Sequence, residues 1–202
     1  MISTKYIEDI DIDIIKAILE IDSIVYPEHL QGTFDEVYGR FKANRDTVIL
    51  LFDDYRVIGY FCMFPIKDEL YNEILNSDRF YDSDIPSESI LRYEPHNIYK
   101  LYAISTAIHP DYQGKGLSKL LINGFYTYII KKKKNNVFFS SILTTAVTGG
   151  GDYLSKKLGF EKKKTLNDGY VLYELLIDDA YYTMAEQVVK QRREGGYTNS
   201  FQ

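Results

Sequence analysis

A strand followed by two closely spaced glycines and a long amphipathic helix constrains this chain more than any other sequence feature. A β-type run covers residues 97–108, and apolar residues then recur at helical spacing over 115–134. Gly114 and Gly116 lie at the junction. Glycines let a backbone approach a ligand closely, and the unpaired amides of a helix's first turn face outward at the positive end of its dipole. Residues 113–118 are therefore predicted to form a cradle for phosphate oxygens.

Two other phosphate-binding motifs do not match this junction. A Walker loop requires G-x-x-x-x-G-K-[ST], and the segment Gly114-Lys115-Gly116 lacks that spacing. A dinucleotide fingerprint requires a third glycine at the position that Lys119 occupies. On the glycines alone, a strand-to-helix turn without a ligand remains the alternative.

Length and composition predict one compact domain. The chain has 202 residues, and its apolar runs are interrupted by charge well short of the ~20 residues that a membrane-spanning helix needs. The N-terminal segment lacks the basic start and apolar core of a secretory signal, so we expect a cytoplasmic protein without membrane contact. Cys62 is the single cysteine, which excludes a disulfide framework and cysteine-rich metal sites. We expect no bound metal.

Charge is divided unevenly along the chain. Residues 1–100 carry 20 Asp and Glu against 10 Lys and Arg, whereas residues 101–202 carry 9 against 14. This division suits a first half that meets a cationic partner and a second half that meets an anionic one, although solvated surfaces are the simpler alternative. The run Lys131 to Lys134 closes the long helix, where cations favour the negative end of the dipole. We therefore expect no nucleic-acid partner.

Periodicity and turn residues predict the remaining elements. Residues 66–96 are acidic and polar without a strand pattern, and a connection of that length is typical of a lid or binding insert with some helix of its own. The other predicted elements are helices over 10–24, after a cap at Thr33, over 151–158 and over 181–193, and strands over 47–52, 56–64, 137–143 and 170–176.

Several of these features together resemble the GCN5-related N-acetyltransferase (GNAT) family. The segment from Gln113 to Ser118 resembles the family's Q/R-x-x-G-x-G/A loop, and the stretch from Ile108 to Tyr112 resembles the V-x-P-x-x sequence that commonly precedes it. The order of elements also matches, including the ending Leu158-Gly159-Phe160, over about residues 10–177. The resemblance implies an α/β fold with a mixed, mostly antiparallel sheet, splayed between strands four and five and flanked by helices. It implies one domain over residues 1–177, followed by a helix and polar tail over 178–202.

The resemblance also implies an activity and a co-substrate. Family members move an acetyl group from acetyl-CoA to a primary amine by direct transfer through a ternary complex. The pantetheine arm would enter the splayed gap like an added strand and pair with backbone near Thr106 and Ile108. The amides that follow would hold the pyrophosphate. The implied cofactor-binding residues are Ile108, Gln113, Gly114, Lys115, Gly116, Leu117 and Ser118.

The usual catalytic side chains of the family are absent from their usual places. Tyr102 occupies the strand-four position that often holds a general-base Glu, and Ser155 occupies the position of a general-acid Tyr. The amide of Thr106 is a candidate oxyanion donor by position. A water chain ending at Glu94, His96 or Tyr102 is our prediction for proton removal.

The acceptor and the retention of catalysis stay open at this point. A small-molecule amine and a peptide amine are both compatible with the pattern, and five tyrosines in or beside the insert are candidates for an aromatic pocket around a cationic amine. The five are Tyr71, Tyr81, Tyr93, Tyr99 and Tyr102. The alternatives are a non-catalytic acyl-CoA-binding module and a protein-interaction module of the same fold. The C-terminal helix is a candidate homodimer surface.

Overall fold

A computed structural model describes residues 1–7, 10–82 and 85–194 of the chain. Within these residues, seven strands form one sheet in the order β1-β2-β3-β4-β5-β7-β6, in which β4 and β5 run parallel and the other neighbours run antiparallel. This arrangement confirms the predicted mixed, mostly antiparallel sheet flanked by helices. The strands are β1 (Ile2–Ile7), β2 (Val48–Asp53), β3 (Arg56–Ile66), β4 (Asn97–Ile108), β5 (Val137–Ala146), β6 (Glu161–Thr165) and β7 (Val171–Leu176).

In the described ranges, six α-helices cover the two faces of the sheet. Helices α4, α5 and α6 pack on one face, and α1, α2 and α3 pack on the other. Side chains of β3 alternate between the two cores, because Phe61 and Met63 face α4 whereas Tyr60 and Cys62 face α1. The helices are α1 (Ile12–Val25), α2 (Phe34–Ala43), α3 (Asp68–Asn76), α4 (Ser118–Lys134), α5 (Gly149–Leu158) and α6 (Asp179–Glu194).

Local signals explain where the helices near the site begin and end. The Asp11 side chain accepts a hydrogen bond from the amide of Ile14 at the start of α1. Thr33 and Glu36 form a capping box at the start of α2, which confirms Thr33 as the predicted cap. Gly159 ends α5 in the left-handed conformation, with φ of 88°.

The structure corrects the predicted elements at four places. Strands β1 and β6 were not predicted; β6 is a highly charged edge strand that exists because its backbone pairs with β7 rather than because of an apolar pattern. Helix α4 begins at Ser118 instead of residue 115, because Gly114 and Gly116 have φ of 73° and cannot continue a helix. Residues 149–151 belong to the first turn of α5, which Thr148 caps.

The predicted insert has the expected helix of its own, α3, and returns to the sheet through an isolated bridge between Ile66 and Ile90. Buried Arg40 of α2 donates hydrogen bonds to the carbonyl oxygens of Asp82 at 3.0 Å and Ile85 at 3.3 Å. These contacts hold the end of the insert against α2.

No helix in the described ranges combines the length and apolarity that crossing a membrane requires.

Candidate active site

A cleft opens where the two parallel strands separate. The ladder between β4 and β5 ends at Ala103 and Thr144, while β4 continues to Ile108 and β5 to Ala146. The register against β3 shifts at the same point and leaves Ile104 as an extra residue in β4. Such a bulge bends a strand and interrupts its pairing. Residues 104–106 are consequently partly exposed, although the strand is buried just before them.

The cleft passes through the sheet and has two differently built ends. Helices α1 and α2, strand β3 and the insert around Asp82 line one end, which we call the acceptor end. The start of α5 and the final residues of β5 line the other side of the gap. The walls of the acceptor end are mainly apolar and include Ile18, Val37, Phe41, Phe64 and Phe80.

The loop formed by residues 113–118 follows the splayed end of β4 and presents backbone amides. Gly114 and Gly116 both have positive φ, and a Cβ built on either would meet nothing within 4 Å. None of the hydrogen bonds in the described part of the chain has an amide of residues 114–118 as its donor. The Gln113 side chain donates to the carbonyl oxygen of Ile108 at 2.8 Å and fixes the start of the loop. Open space, unclaimed amides and a helix start fit a pyrophosphate group.

A chain of three polar side chains crosses the acceptor end. The phenol of Tyr60 donates to a carboxylate oxygen of Asp22, and the hydroxyl of Ser105 lies 2.5 Å from the same phenol oxygen. Burial raises the pKa of Asp22 to about 7 from an ordinary value of 3.8, partly offset by the hydrogen bond from Tyr60. Burial and the nearby Asp22 charge hold the pKa of Tyr60 well above its ordinary value. Asp22 is thus a base that titrates near neutrality, held by a phenol that keeps its proton.

Two sequence-predicted residues on β4 take different positions in this geometry. Thr106 lines the cleft, and its carbonyl oxygen accepts a hydrogen bond from Tyr26 at 2.9 Å. Tyr102 is 1% exposed, and its hydroxyl bonds to Asp82 at 2.8 Å and Thr145 at 3.0 Å. Burial raises the pKa of Tyr102 well above its ordinary value, so this phenol cannot serve as a base near neutral pH.

The other predicted catalytic residues lie near opposite ends of β4: Ser155 lies at the cleft, and Glu94 and His96 lie before the first residue of the strand. Ser155 lines the cleft from α5, where its hydroxyl donates to the carbonyl oxygen of Gly151 at 2.9 Å. Glu94 and His96 precede the first residue of β4, and the amide of His96 donates to Asn136 at 2.6 Å. The splay lies roughly 25 Å farther along the strand, at about 3.3 Å per residue. The structure therefore does not bring Glu94 or His96 to the cleft.

The five tyrosines do not form one aromatic pocket. Tyr81 lines the cleft, and Tyr102 contacts its lining from behind through Asp82. Tyr93 and Tyr99 pack edge to face near the start of β4 with ring centroids 5.3 Å apart. Tyr71 donates a hydrogen bond to Glu174.

Asp22, Tyr60 and Ser105 were not predicted from the sequence. One signal for Asp22 was present, because it lies four residues after Ile18 and next to Ile21 on the stripe that α1 buries. A carboxylate at such a position requires a partner inside the fold. The identity of that partner depends on β3 and β4 and was not readable from local pattern.

Comparisons with known proteins agree with this geometry. A family model described as "Acetyltransferase (GNAT) family" matches residues 15–142. A search of curated proteins gives no match.

Three solved structures illustrate the likeness in fold. The loading GNATL domain of CurA from Lyngbya majuscula has a TM-score of 0.63 at 13% identity, over 87% of this chain and 98% of that chain. The GNAT-like decarboxylase GphF, solved with isobutyryl-CoA, has a TM-score of 0.60 at 10% identity, over 87% and 98%. An N-acetyltransferase from Staphylococcus aureus Mu50 has a TM-score of 0.55 at 16% identity, over 88% and 99%.

At these identities the structural likeness establishes the fold and leaves the reaction to be argued from the site. The family model covers more than half of the chain. The chain therefore belongs to the GNAT acetyltransferase family.

Proposed function

We propose that this chain is an N-acetyltransferase that moves the acetyl group of acetyl-CoA to a primary amine by direct transfer. One observation carries the proposal: the β4–β5 gap opens after Ala103 and Thr144, runs through the sheet, and is followed along β4 by the open-amide loop over 113–118. A long, thin molecule with phosphates at one end and a reactive thioester at the other matches that shape. Acetyl-CoA has both features.

The loop supplies the binding end of this proposed site. Amides of residues 114–118 would hold the pyrophosphate by direct hydrogen bonds at the positive end of α4. Lys115 lies at the rim, with its ammonium 5.0 Å from the centre of the Tyr112 ring. The pantetheine arm would lie in the gap beside residues 104–108, where β4 has separated from β5. Ile108 and Gln113 support the turn through their mutual hydrogen bond.

The proposed reaction joins the two ends of the cleft. The amine nitrogen attacks the thioester carbonyl carbon, the carbon–sulfur bond breaks, and the CoA thiolate leaves with the electron pair. Alignment of the two reactants and stabilisation of the developing oxyanion supply much of the rate enhancement in such reactions. The Thr106 amide remains our candidate for the oxyanion donor, and Ser155 our candidate for returning a proton to the thiolate, since both residues line the cleft.

Amine-dependent release of free CoA tests this proposal. We expect saturable thiol release with acetyl-CoA and a primary amine, together with an acetylated product in the mass spectrum. Gly116→Glu places a carboxylate against the phosphates and should abolish turnover. Gly116→Ala is the matched control, because it has the same positive-φ strain without the charge, and its Cβ has open space.

Two other outcomes point to the alternative functions. Tight acetyl-CoA binding without turnover of any amine would support a non-catalytic acyl-CoA-binding module. A folded wild type that neither binds nor turns over acetyl-CoA would leave the protein-interaction module as the better explanation.

A further inference from the structure

We propose that the acceptor end binds a primary amine with an apolar carbon skeleton, and that Asp22 receives the amine's proton through Tyr60 and Ser105. This inference rests on the proposed acetyl transfer and names its acceptor class and its proton path. Asp22 comes from α1, Tyr60 from β3 and Ser105 from β4. The three side chains meet only because α1 packs across both strands.

The hydrogen bonds of the chain run in one direction when Asp22 is ionised. Tyr60 is fully buried and retains its proton, so its single O–H donates to the Asp22 carboxylate. The phenol oxygen is then free to accept the hydrogen of Ser105. The Ser105 oxygen in turn is an acceptor for an amine N–H. Each donor thus points toward Asp22, as a path for proton transfer requires.

Ser105 lies at the place where the transfer would occur. It neighbours the bulge at Ile104 and is partly exposed at the opened edge of β4. Thr106, the candidate oxyanion donor, is the next residue. An amine bound beside Ser105 is therefore close to the part of the gap proposed for the thioester.

The proton balance of the path is complete. A bound ammonium group first gives one proton to the Ser105 oxygen, the Ser105 proton passes to Tyr60, and the Tyr60 proton passes to Asp22, which leaves a neutral amine that can attack the thioester. Asp22 ends neutral, and the serine and tyrosine end unchanged. The second proton, which the nitrogen loses after the nitrogen–carbon bond forms, passes by way of Ser155 to the departing thiolate, and Asp22 returns its own proton to solvent before the next turnover.

The position of the Asp22 equilibrium suits this role. A free alkylammonium ion has a pKa of ~10.4, and the pKa of Asp22 is about 7. Proton transfer from such an ion to Asp22 is therefore unfavourable by about three orders of magnitude in the equilibrium constant. Burial in an apolar pocket lowers the pKa of an ammonium group and narrows that difference. A base that titrates near the working pH is also the most effective proton acceptor.

The charges around the acceptor end favour a cation. Asp22 and Asp82 bring two carboxylates to the lining, against one guanidinium, that of Arg40. Arg40 points its donors at the backbone carbonyls of residues 82 and 85. The remaining wall is the apolar set from α1, α2, β3 and the insert named above. A cationic head with an apolar body complements this lining, whereas a second charge would face apolar side chains without a partner.

Several other titratable groups surround Asp22, and any pH dependence includes them. Tyr26 follows the end of α1, Tyr60 and Cys62 face Asp22 from β3, Arg40 comes from α2 and Asp82 from the insert. Burial raises the pKa of Tyr26 to about 12 and that of Cys62 well above its ordinary value. Compared with Tyr26, Tyr60 and Cys62, whose pKa values are all raised further from neutrality, Asp22 is the group whose titration is expected near neutral pH.

The test uses the full chain with acetyl-CoA and three amines: phenethylamine, hexylamine and spermidine. We expect the two apolar amines to be better acceptors than spermidine by at least tenfold in kcat/KM. Asp22→Asn should lower kcat by about 10²-fold, which is within the usual contribution of a general base. It should also remove the rise of kcat/KM with pH centred near 7, with little change in acetyl-CoA affinity. Ser105→Ala should lower kcat about tenfold.

Asp13→Asn is the matched control on the same helix, because the Asp13 side chain is 93% exposed and faces solvent. It should leave rates and pH profile unchanged. Wild-type activity with an unaltered pH profile in Asp22→Asn would overturn the proton path while leaving acetyl transfer intact. A wild type that acetylates spermidine in preference to the apolar amines, or that binds acetyl-CoA but acetylates none of the three, would overturn the acceptor class. Loss of acetyl-CoA binding in the wild type itself would instead contradict the proposed function.

Discussion

The two binding regions of the proposed site, the loop and the acceptor end, use different parts of the polypeptide. The loop at residues 113–118 offers backbone amides, and its conformation depends on two glycines close together in sequence. The acceptor end offers side chains from three separate elements, with Asp22, Tyr60 and Ser105 in one hydrogen-bonded chain. A backbone site tolerates most side-chain changes that keep its φ and ψ values. The hydrogen-bonded series of side chains at the acceptor end is disrupted by the loss of a single hydroxyl.

This difference leads to the largest effect that we expect from the loss of a single atom, the hydroxyl oxygen of Tyr60. Tyr60→Phe keeps the buried ring but leaves Asp22 and Ser105 without their common partner. We expect kcat for phenethylamine to fall by about 30- to 100-fold, within the range for lost general-base catalysis, while the Kd for acetyl-CoA changes less than about twofold. Tyr55→Phe, at a side chain that is 99% exposed in the β2–β3 turn, is the control. Equal rates for the two variants would contradict the claim that the acceptor end depends on the Tyr60 hydroxyl.

The next expected effect is on the free energy of unfolding, because the carboxylate of Asp22 is partly buried at the acceptor end. The pKa of Asp22 in the folded protein, about 7, lies above its ordinary value of 3.8. The stability that protonated Asp22 contributes is therefore fully present below about pH 4 and is lost as the pH rises through about 7.

Asp22→Asn stays neutral and keeps an acceptor for Tyr60. Three pKa units set an upper bound of about 4 kcal/mol, and partial exposure reduces our expectation to about 1–2 kcal/mol of added stability at about pH 8. Urea unfolding of both proteins between about pH 4 and pH 8 measures this difference. A variant less stable than the wild type at the upper end would contradict the assigned burial cost.

The smallest effect is expected from removing the side-chain charge at the rim of the loop. Lys115 is exposed and lies over the Tyr112 ring, so its charge is screened by solvent. Lys115→Gln should weaken acetyl-CoA binding by less than about threefold, since exposed ion pairs contribute about 0–1 kcal/mol. Titration calorimetry at two salt concentrations checks this. A loss greater than tenfold would show that the loop depends on side-chain charge as the acceptor end does.

The same contrast explains which parts of the structure could be predicted from the sequence and which could not. The loop, the bounds of β4, the cap at Thr33 and the end of α5 at Gly159 were predicted because each depends on neighbours within a few residues. Strand β6 was missed because tertiary pairing, not local pattern, makes it a strand. The Asp22–Tyr60–Ser105 chain was missed because it joins positions distant in sequence. Glu94 and His96 lie at the end of β4 opposite the gap, because proximity in sequence to β4 did not indicate which end of the strand opens.

Calorimetric titration of acetyl-CoA into the wild type, Gly116→Glu and Asp22→Asn tests the central claim most directly. We expect Gly116→Glu to bind acetyl-CoA at least about 100-fold more weakly than the wild type, a difference of about 2.7 kcal/mol in binding free energy. Asp22→Asn should bind acetyl-CoA like the wild type. Circular dichroism of each variant confirms that the fold is kept. Equal affinity of the wild type and Gly116→Glu would contradict the assignment of the loop as the acetyl-CoA site, and with it the proposed acetyl transfer.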